Sequence, residues 1–476
     1  MDAPPPLVIL PGLYSSVLGM KQACFAPNEW KIPTTLLFSL VTGFSFFFIV
    51  LVRRVRASPL RISHHSKFES MDAPPPLVIY VPGLYSSVLG KKQARFAPNE
   101  WKIPTTLLFS LVTGNRGHRN LALPITWKKD EHGNDVQDED DIEATDCLPY
   151  VQAKLLTLLD ILNEKGLIEL HKIPWDWRRS LEETEMKISA QLESICANDV
   201  HHRKATLLTH STGCKLAWPT VSRNPHYFSS WINCAGCILA SNVFLQEFQQ
   251  GWKLGRVSLL GKETAFTLGS LYCYFRVAKN EGWVGAGDSE FITPDGKFLT
   301  HEDIDAYNIE DWKKFKLGVF GWENKEVTLE ESMHVEKSLA AGKRFREKYY
   351  VRGGKPMDSS AFLARLRSEY DHLKIVCYGS ASHQTHSAFE VNLENNTVDV
   401  TESKLTALGD GTLFEKNWQA VPGGLDLDIV MAEEGSTHVS LVNDKKLANL
   451  LVDTFFSKDE VSKASALAVV KSVHGK

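Results

Sequence analysis

The chain has 476 residues, of which 43% are apolar and 23% charged, and its 53 basic and 57 acidic side chains leave a net charge of −4. That balance excludes a dedicated nucleic-acid binder, which needs a basic surplus to neutralise phosphates, and the apolar content excludes global disorder. Eight cysteines over this length do not make a disulfide scaffold, and the lone Cys234-x-x-Cys237 lacks the second pair a zinc site requires, so both read as core thiols.

At about 150 residues per domain this length would fill three domains. An internal repeat lowers that figure. Met1–Gly43 and Met71–Gly114 align with one gap and differ only where Leu10 faces Tyr80-Val81, Met20 faces Lys91 and Cys24 faces Arg95. A solenoid needs about three diverged units, so two near-identical copies read as a duplication or a fused gene model. Residues 1–70 are expected to lie outside the main fold. Between the copies, Leu36–Val52 carries no charge over 17 residues and is followed by Arg53, Arg54 and Arg56. That length reaches the lower limit of a membrane anchor with a cytoplasmic positive flank. However, its first eight residues recur as Leu107–Gly114, which favours an extension without a membrane role. The expected location is intracellular, cytoplasmic or membrane-associated.

From Met71 onward about 400 residues remain, enough for one large domain with an insertion. Leu77–Val81 reads as a buried strand stopped by Pro82-Gly83. Asp130–Glu143, rich in carboxylates, fails the EF-hand spacing and reads as a solvated loop. Leucines at helical spacing predict a helix over Val151–Lys165, ended by Gly166. A strand over Leu167–Ile173, a helix over Leu181–Cys196, a strand over Ala205–Thr209, a helix over Cys214–Val221 and a strand over Ser230–Ala235 follow. This alternation predicts a mostly parallel sheet covered on both faces, with the chemistry at the carboxyl ends of its strands. Asn242–Tyr370 breaks the rhythm and reads as a cap holding a charged helix at Leu329–Tyr349. The core resumes at Leu373–Tyr378, continues through Leu425–Met431 and closes on a final helix near Lys445–Phe456. The expected parts are thus 71–241 and 371–476 as core and 242–370 as cap.

Thr209-His210-Ser211-Thr212-Gly213 falls at a strand-to-helix junction, the setting of a nucleophile elbow. Thr209 stands where the usual pattern has glycine, and a Ser-Thr-Gly turn that merely starts a helix is the bland reading. Chain order argues against the bland one: Asp410, between Gly409 and Gly411, and then His438 follow in the order a serine triad on this fold requires. Ser211 is the expected nucleophile, His438 the base and Asp410 its orienting acid. The N–H groups of Thr212 and of Leu84 are the expected oxyanion hole. No metal or other cofactor is implied.

Taken together, Val78-Ile79-Tyr80-Val81-Pro82-Gly83-Leu84, Trp175-Asp176-Trp177-Arg178, His210-Ser211-Thr212-Gly213, Gly409-Asp410-Gly411-Thr412 and Ser436-Thr437-His438 resemble the lecithin:cholesterol acyltransferase family. The resemblance implies an α/β-hydrolase fold and transfer or hydrolysis of a glycerolipid acyl group, as in its phospholipase and phospholipid:diacylglycerol acyltransferase members. It matches Ser211, Asp410 and His438 to the family's triad and Leu84 to its oxyanion position. The implied partners are a phospholipid or other acyl lipid, with water or a lipid or sterol alcohol as acceptor, met in transient contact with a membrane surface. Arg95–Gly114, with Trp101, reads equally as a lid or as packed core, and Trp101, Trp175 and Trp177 are expected to touch substrate. Departures are Thr209, and the lack of a leader peptide and paired cysteines from Met71 onward. They keep open a serine esterase of soluble substrates and a non-catalytic lipid-binding relative.

Overall fold

The computed structural model describes residues 35–42, 45–52, 73–91, 121–149, 152–238, 241, 243–254, 257–275, 291–300, 302–352, 355–356, 368, 371–419 and 427–475. The chain divides into two units, Met1–Asp72 and Ala73–Lys476. In the first, Thr35–Thr42 pairs antiparallel with Ser45–Val52, with Thr35 opposite Val52 and Thr42 opposite Ser45. The apolar run that could have served as an anchor by length is therefore strand and not helix. Its phenylalanines, valines and isoleucine favour the extended backbone. Among the described residues no helix is long and apolar enough to cross a membrane.

The second unit is built on a six-stranded, all-parallel sheet. Its strands are β1 (Leu77–Val81), β2 (Glu169–Lys172), β3 (Ala205–His210), β4 (Phe228–Cys234), β5 (Lys374–Gly379) and β6 (Asp428–Met431). Their spatial order is β6-β5-β4-β3-β1-β2. The helices used below are α1 (Ala153–Glu164), α2 (Leu181–Ala197), α3 (Thr212–Arg223), α4 (Val243–Gln250), α5 (Leu329–Tyr350), α6 (Lys445–Phe455) and α7 (Glu460–His474).

Both faces of the sheet are covered, as the unbroken apolar strands require. Leu77, Ile79 and Val81 of β1 join one cluster with Leu207, Trp231, Leu192 of α2 and Leu216 of α3. Val78 and Tyr80 join the other, with Leu155 and Leu159 of α1, Leu451 of α6 and Val470 of α7. This period of two in β1 is the alternation of a strand buried on both sides. The architecture is that of an α/β-hydrolase.

The chain leaves β1, runs to the edge as β2, and returns to β3 on the far side of β1. The order of strands therefore reverses at β1/β3, and a crevice at the carboxyl ends of these strands is where such sheets bind ligands. Val81 pairs with Thr209, so the turn after β1 and the turn after β3 are neighbours.

Several elements differ from expectation. Asp130–Glu143 is not a free loop: Trp127–Lys129 pairs with Asp135–Gln137, and Ile142–Cys147 pairs with Ser87–Lys91. Asp140 is committed to the buried Arg178, which it holds at 2.5 and 3.0 Å while Asp176 holds it at 2.9 and 2.7 Å. A buried guanidinium needs such partners, which is why these two carboxylates are drawn to it and half-buried. A long hairpin of His383–Asn392 with Thr397–Gly409 interrupts the resumed core, and Phe291–Ile292 adds to it in parallel. The helix at Lys445–Phe455 is also not the last, since α7 follows it. The proposed lid, Arg95–Gly114 with Trp101, lies outside the described residues. The described cysteines are free and buried, with Cys234 and Cys237 among them. Burial raises both thiols.

Candidate active site

Strand β3 ends at His210, and the chain turns sharply into α3 at Ser211. That residue caps the helix with φ 52° and ψ −121°, a left-handed conformation that costs a non-glycine residue about 1–3 kcal/mol. The main chain holds it there. Ser211 N–H donates to the Cys234 carbonyl at 2.9 Å, while the Ser211 carbonyl accepts from Cys214 N–H at 3.0 Å and Cys237 N–H at 3.1 Å. Two residues on, Gly213 passes so close to β1 that a Cβ would lie 2.4 Å from the Val81 carbonyl oxygen. Thr209, at the position where glycine is usual, is fully buried. Its hydroxyl accepts from the Trp231 indole N–H at 2.8 Å and donates to Cys214 Sγ at 3.0 Å. The side chain thus ties β3 to β4 and α3, and the elbow forms with threonine in place.

His438 and Asp410 arrive from loops after β6 and β5. His438 Nε2 lies 2.9 Å from Ser211 Oγ, and its Nδ1 lies 2.7 Å from Asp410 Oδ2. The other oxygen, Oδ1, accepts from the N–H groups of Thr412 at 2.9 Å and Leu413 at 2.7 Å. With Asp410 accepting, Nδ1 carries the proton and Nε2 is free to accept from the serine hydroxyl. Burial alone would raise the Asp410 carboxyl, but His438 beside it and the two N–H groups outweigh burial and hold it below its ordinary value. Ser211 is 8% exposed and Asp410 1%.

His210, unassigned by sequence, packs against His438. Its Nε2 lies 3.0 Å from the His438 carbonyl oxygen, to which it donates, and its ring centroid is 5.1 Å from that of His438. Burial, with repulsion from His438, pushes it down to about 3, so it stays neutral.

The turn after β1 faces the elbow. A Cβ on Gly83 would come within 3.0 Å of His210 Nδ1 and of Ser211 Cβ. Leu84 follows Gly83, so the two expected oxyanion donors, Leu84 and Thr212, lie on the two turns that meet at the serine. Trp175 and Trp177 are buried against the first turn. The Trp175 indole N–H donates to the Pro82 carbonyl at 2.8 Å, and that of Trp177 to the Ser87 carbonyl at 3.2 Å. Tyr85 donates its hydroxyl to Glu247 Oε2 at 2.5 Å. Burial raises Glu247 to about 7, although that bond works against it. Sequence reasoning singled out neither residue. Among the described residues no cluster of His, Cys, Asp and Glu could hold a metal ion.

The parallel sheet, the sharp turn at Ser211 and the chain order give an α/β-hydrolase fold in which Ser211, His438 and Asp410 lie within hydrogen-bonding distance. No protein-family model matches the chain, and no curated protein matches it in sequence. Solved structures of similar course include the Tle4–Tli4 complex, at 11% identity over 84% of this chain and 99% of that one, with a TM-score of 0.47. The mature Bacillus licheniformis lipase BlEst2 gives 11%, 80%, 92% and 0.32, and the Bacillus subtilis carboxylesterase CesB gives 9%, 90%, 92% and 0.25. At these identities and scores the likeness is one of general course alone.

Proposed function

We propose that this chain is a serine acyl hydrolase or acyltransferase working through an acyl-enzyme, with a glycerolipid as acyl donor. The observation that carries the reading is the unbroken relay from Ser211 Oγ to His438 and on to Asp410. Ser211 Oγ attacks the ester carbonyl carbon while its proton passes to His438 Nε2, and Asp410 stabilises the imidazolium. The tetrahedral oxyanion takes hydrogen bonds from the N–H groups of Thr212 and Leu84, each worth roughly 3 kcal/mol in the transition state. Collapse breaks the ester bond, and the leaving alcohol takes the proton from His438. Water or an alcohol, deprotonated by His438, then attacks the acyl-enzyme and frees Ser211.

The lipid substrate rests on the five short motifs shared with the lecithin:cholesterol acyltransferase family, spread from Val78 to His438. Trp175-Asp176-Trp177-Arg178, one of them, is used to brace the oxyanion turn and to hold Asp140. Labelled phosphatidylcholine vesicles, with and without an added alcohol, test donor and acceptor together. Acyl release that depends on Ser211 is expected, and the label appears in a new ester only if the alcohol is the acceptor. Ser211→Ala should lower turnover by roughly 10⁴-fold or more while the protein stays folded. Turnover of soluble short-chain esters with no release from vesicles would instead select a soluble-substrate esterase. A folded protein whose Ser211 takes no fluorophosphonate label would select a non-catalytic lipid binder.

A further inference from the structure

Two side chains from the segment between β4 and β5 reach the two turns that carry the oxyanion donors. On the elbow, Thr212 Oγ1 lies 2.5 Å from the hydroxyl of Tyr274, a residue with no exposed surface. The Tyr274 ring is itself fixed, with Phe244 of α4 3.9 Å away between centroids and Lys215 Nζ 4.4 Å from its centre. On the other turn, Glu247 of α4 accepts the Tyr85 hydroxyl at 2.5 Å and is 8% exposed.

The backbone of that second turn explains why the side chain matters. Ser86 N–H donates to the Gly83 carbonyl at 3.2 Å, closing a four-residue turn whose third residue is Tyr85. Tyr85 has φ 59°. Turns with positive φ at the third position normally place glycine or asparagine there, because a Cβ meets the neighbouring carbonyl. A tyrosine in that conformation is strained and persists only where its surroundings over-determine it. Here they do. Its ring stacks on Trp252 at 4.4 Å and 17°, meets the edge of Trp177 at 4.9 Å, and ends on Glu247. The contacts that hold Tyr85 hold the turn, and with it the direction of the Leu84 N–H one residue earlier.

We propose that Tyr274 and the Tyr85–Glu247 pair are positioning residues for the oxyanion hole, Tyr274 for the Thr212 donor and Tyr85–Glu247 for the Leu84 donor. The inference rests on the reading of Ser211 as nucleophile. It makes the segment between β4 and β5 part of the catalytic geometry, since both anchors come from it. None of the three residues touches the reacting atoms. Loosening either donor raises the barrier without changing how the ground-state ester binds, so the loss falls on kcat and not on KM.

The test uses the full chain and p-nitrophenyl butyrate, with turnover expressed per site titrated by a fluorophosphonate so that a partly folded preparation does not mimic a slow enzyme. Tyr85→Phe and Tyr274→Phe, which keep the ring and remove the hydroxyl, are expected to lower kcat about tenfold or more with KM within about twofold. Glu247→Ala should match Tyr85→Phe, and the two together should be no slower than the worse single variant, because they break one bond. Glu247→Gln retains an oxygen for the Tyr85 hydroxyl and should recover kcat to within about threefold of the parent. Unchanged kcat in both phenylalanine variants, or KM rising while kcat holds, overturns the inference and leaves the nucleophile intact. A parent protein with no Ser211-dependent labelling or turnover overturns the nucleophile reading, and the inference with it.

Discussion

Ser211 and Leu84 lie on adjacent turns, at the ends of paired strands, yet the first is held by main chain and the second by side chains from elsewhere. The elbow is fixed by Cys234, Cys214 and Cys237 through backbone hydrogen bonds and by the bare approach of Gly213 to Val81. The turn after β1 relies on Trp175, Trp177 and Glu247, which are about 90 to 165 residues away in sequence. The place of Ser211 is thus a property of the sheet. The place of Leu84 opposite depends on how later segments pack.

The strongest way to break this contrast is at Gly213. An alanine there would put its Cβ 2.4 Å from one backbone oxygen and 2.7 Å from the next, and neither can move without moving β1. Gly213→Ala should cost about 3 kcal/mol or more, read as a fall in the denaturation midpoint, with labelling of Ser211 lost. On the other turn, Trp175→Phe keeps most of the packing but leaves the buried Pro82 carbonyl without its donor. It should cost about 1–3 kcal/mol, with kcat falling more than KM rises. Thr209→Val should cost about 1–2 kcal/mol by orphaning the Trp231 indole N–H, while Ser211 keeps its reactivity, because the elbow is held by main chain.

A further effect is on pH. Glu247 is raised to about 7 from an ordinary 4.5, so its contribution to stability is present below pH 4.5 and is lost as pH rises through 7. Glu247→Gln should therefore gain thermal stability relative to the parent between pH 5 and pH 8, and a constant difference in melting temperature would reject the shift. His210 and His334, a buried residue of α5, act in the opposite sense. Burial lowers them to about 3 and about 4, so their contribution is present above pH 6.5 and fades as pH falls toward those values.

The features that could be read from sequence are those with a local signature. The alternation of apolar strands and helices, the turn after each strand, and the chain order Ser211, Asp410, His438 are all short-range patterns or simple succession. Tyr85–Glu247 and Thr212–Tyr274 are not, since they join residues 162 and 62 positions apart, and no period or motif marks them. Asp140 shows the same limit: nothing in its acidic stretch marks it as the carboxylate that joins Asp176 on buried Arg178. The hairpin of His383–Asn392 and Thr397–Gly409 was missed because it interrupts the expected rhythm of strand and helix between Asp410 and the sheet.

The main chain of His438 is pinned on both sides: its N–H donates to the Asp410 carbonyl at 2.8 Å, and its carbonyl accepts from His210. A joint clamped at both ends leaves freedom only in the arm it carries. Between the two bonds, only the two side-chain torsions of His438 set where its imidazole points. The reach of that ring to Ser211 and Asp410 is thus set by two torsions on a fixed base.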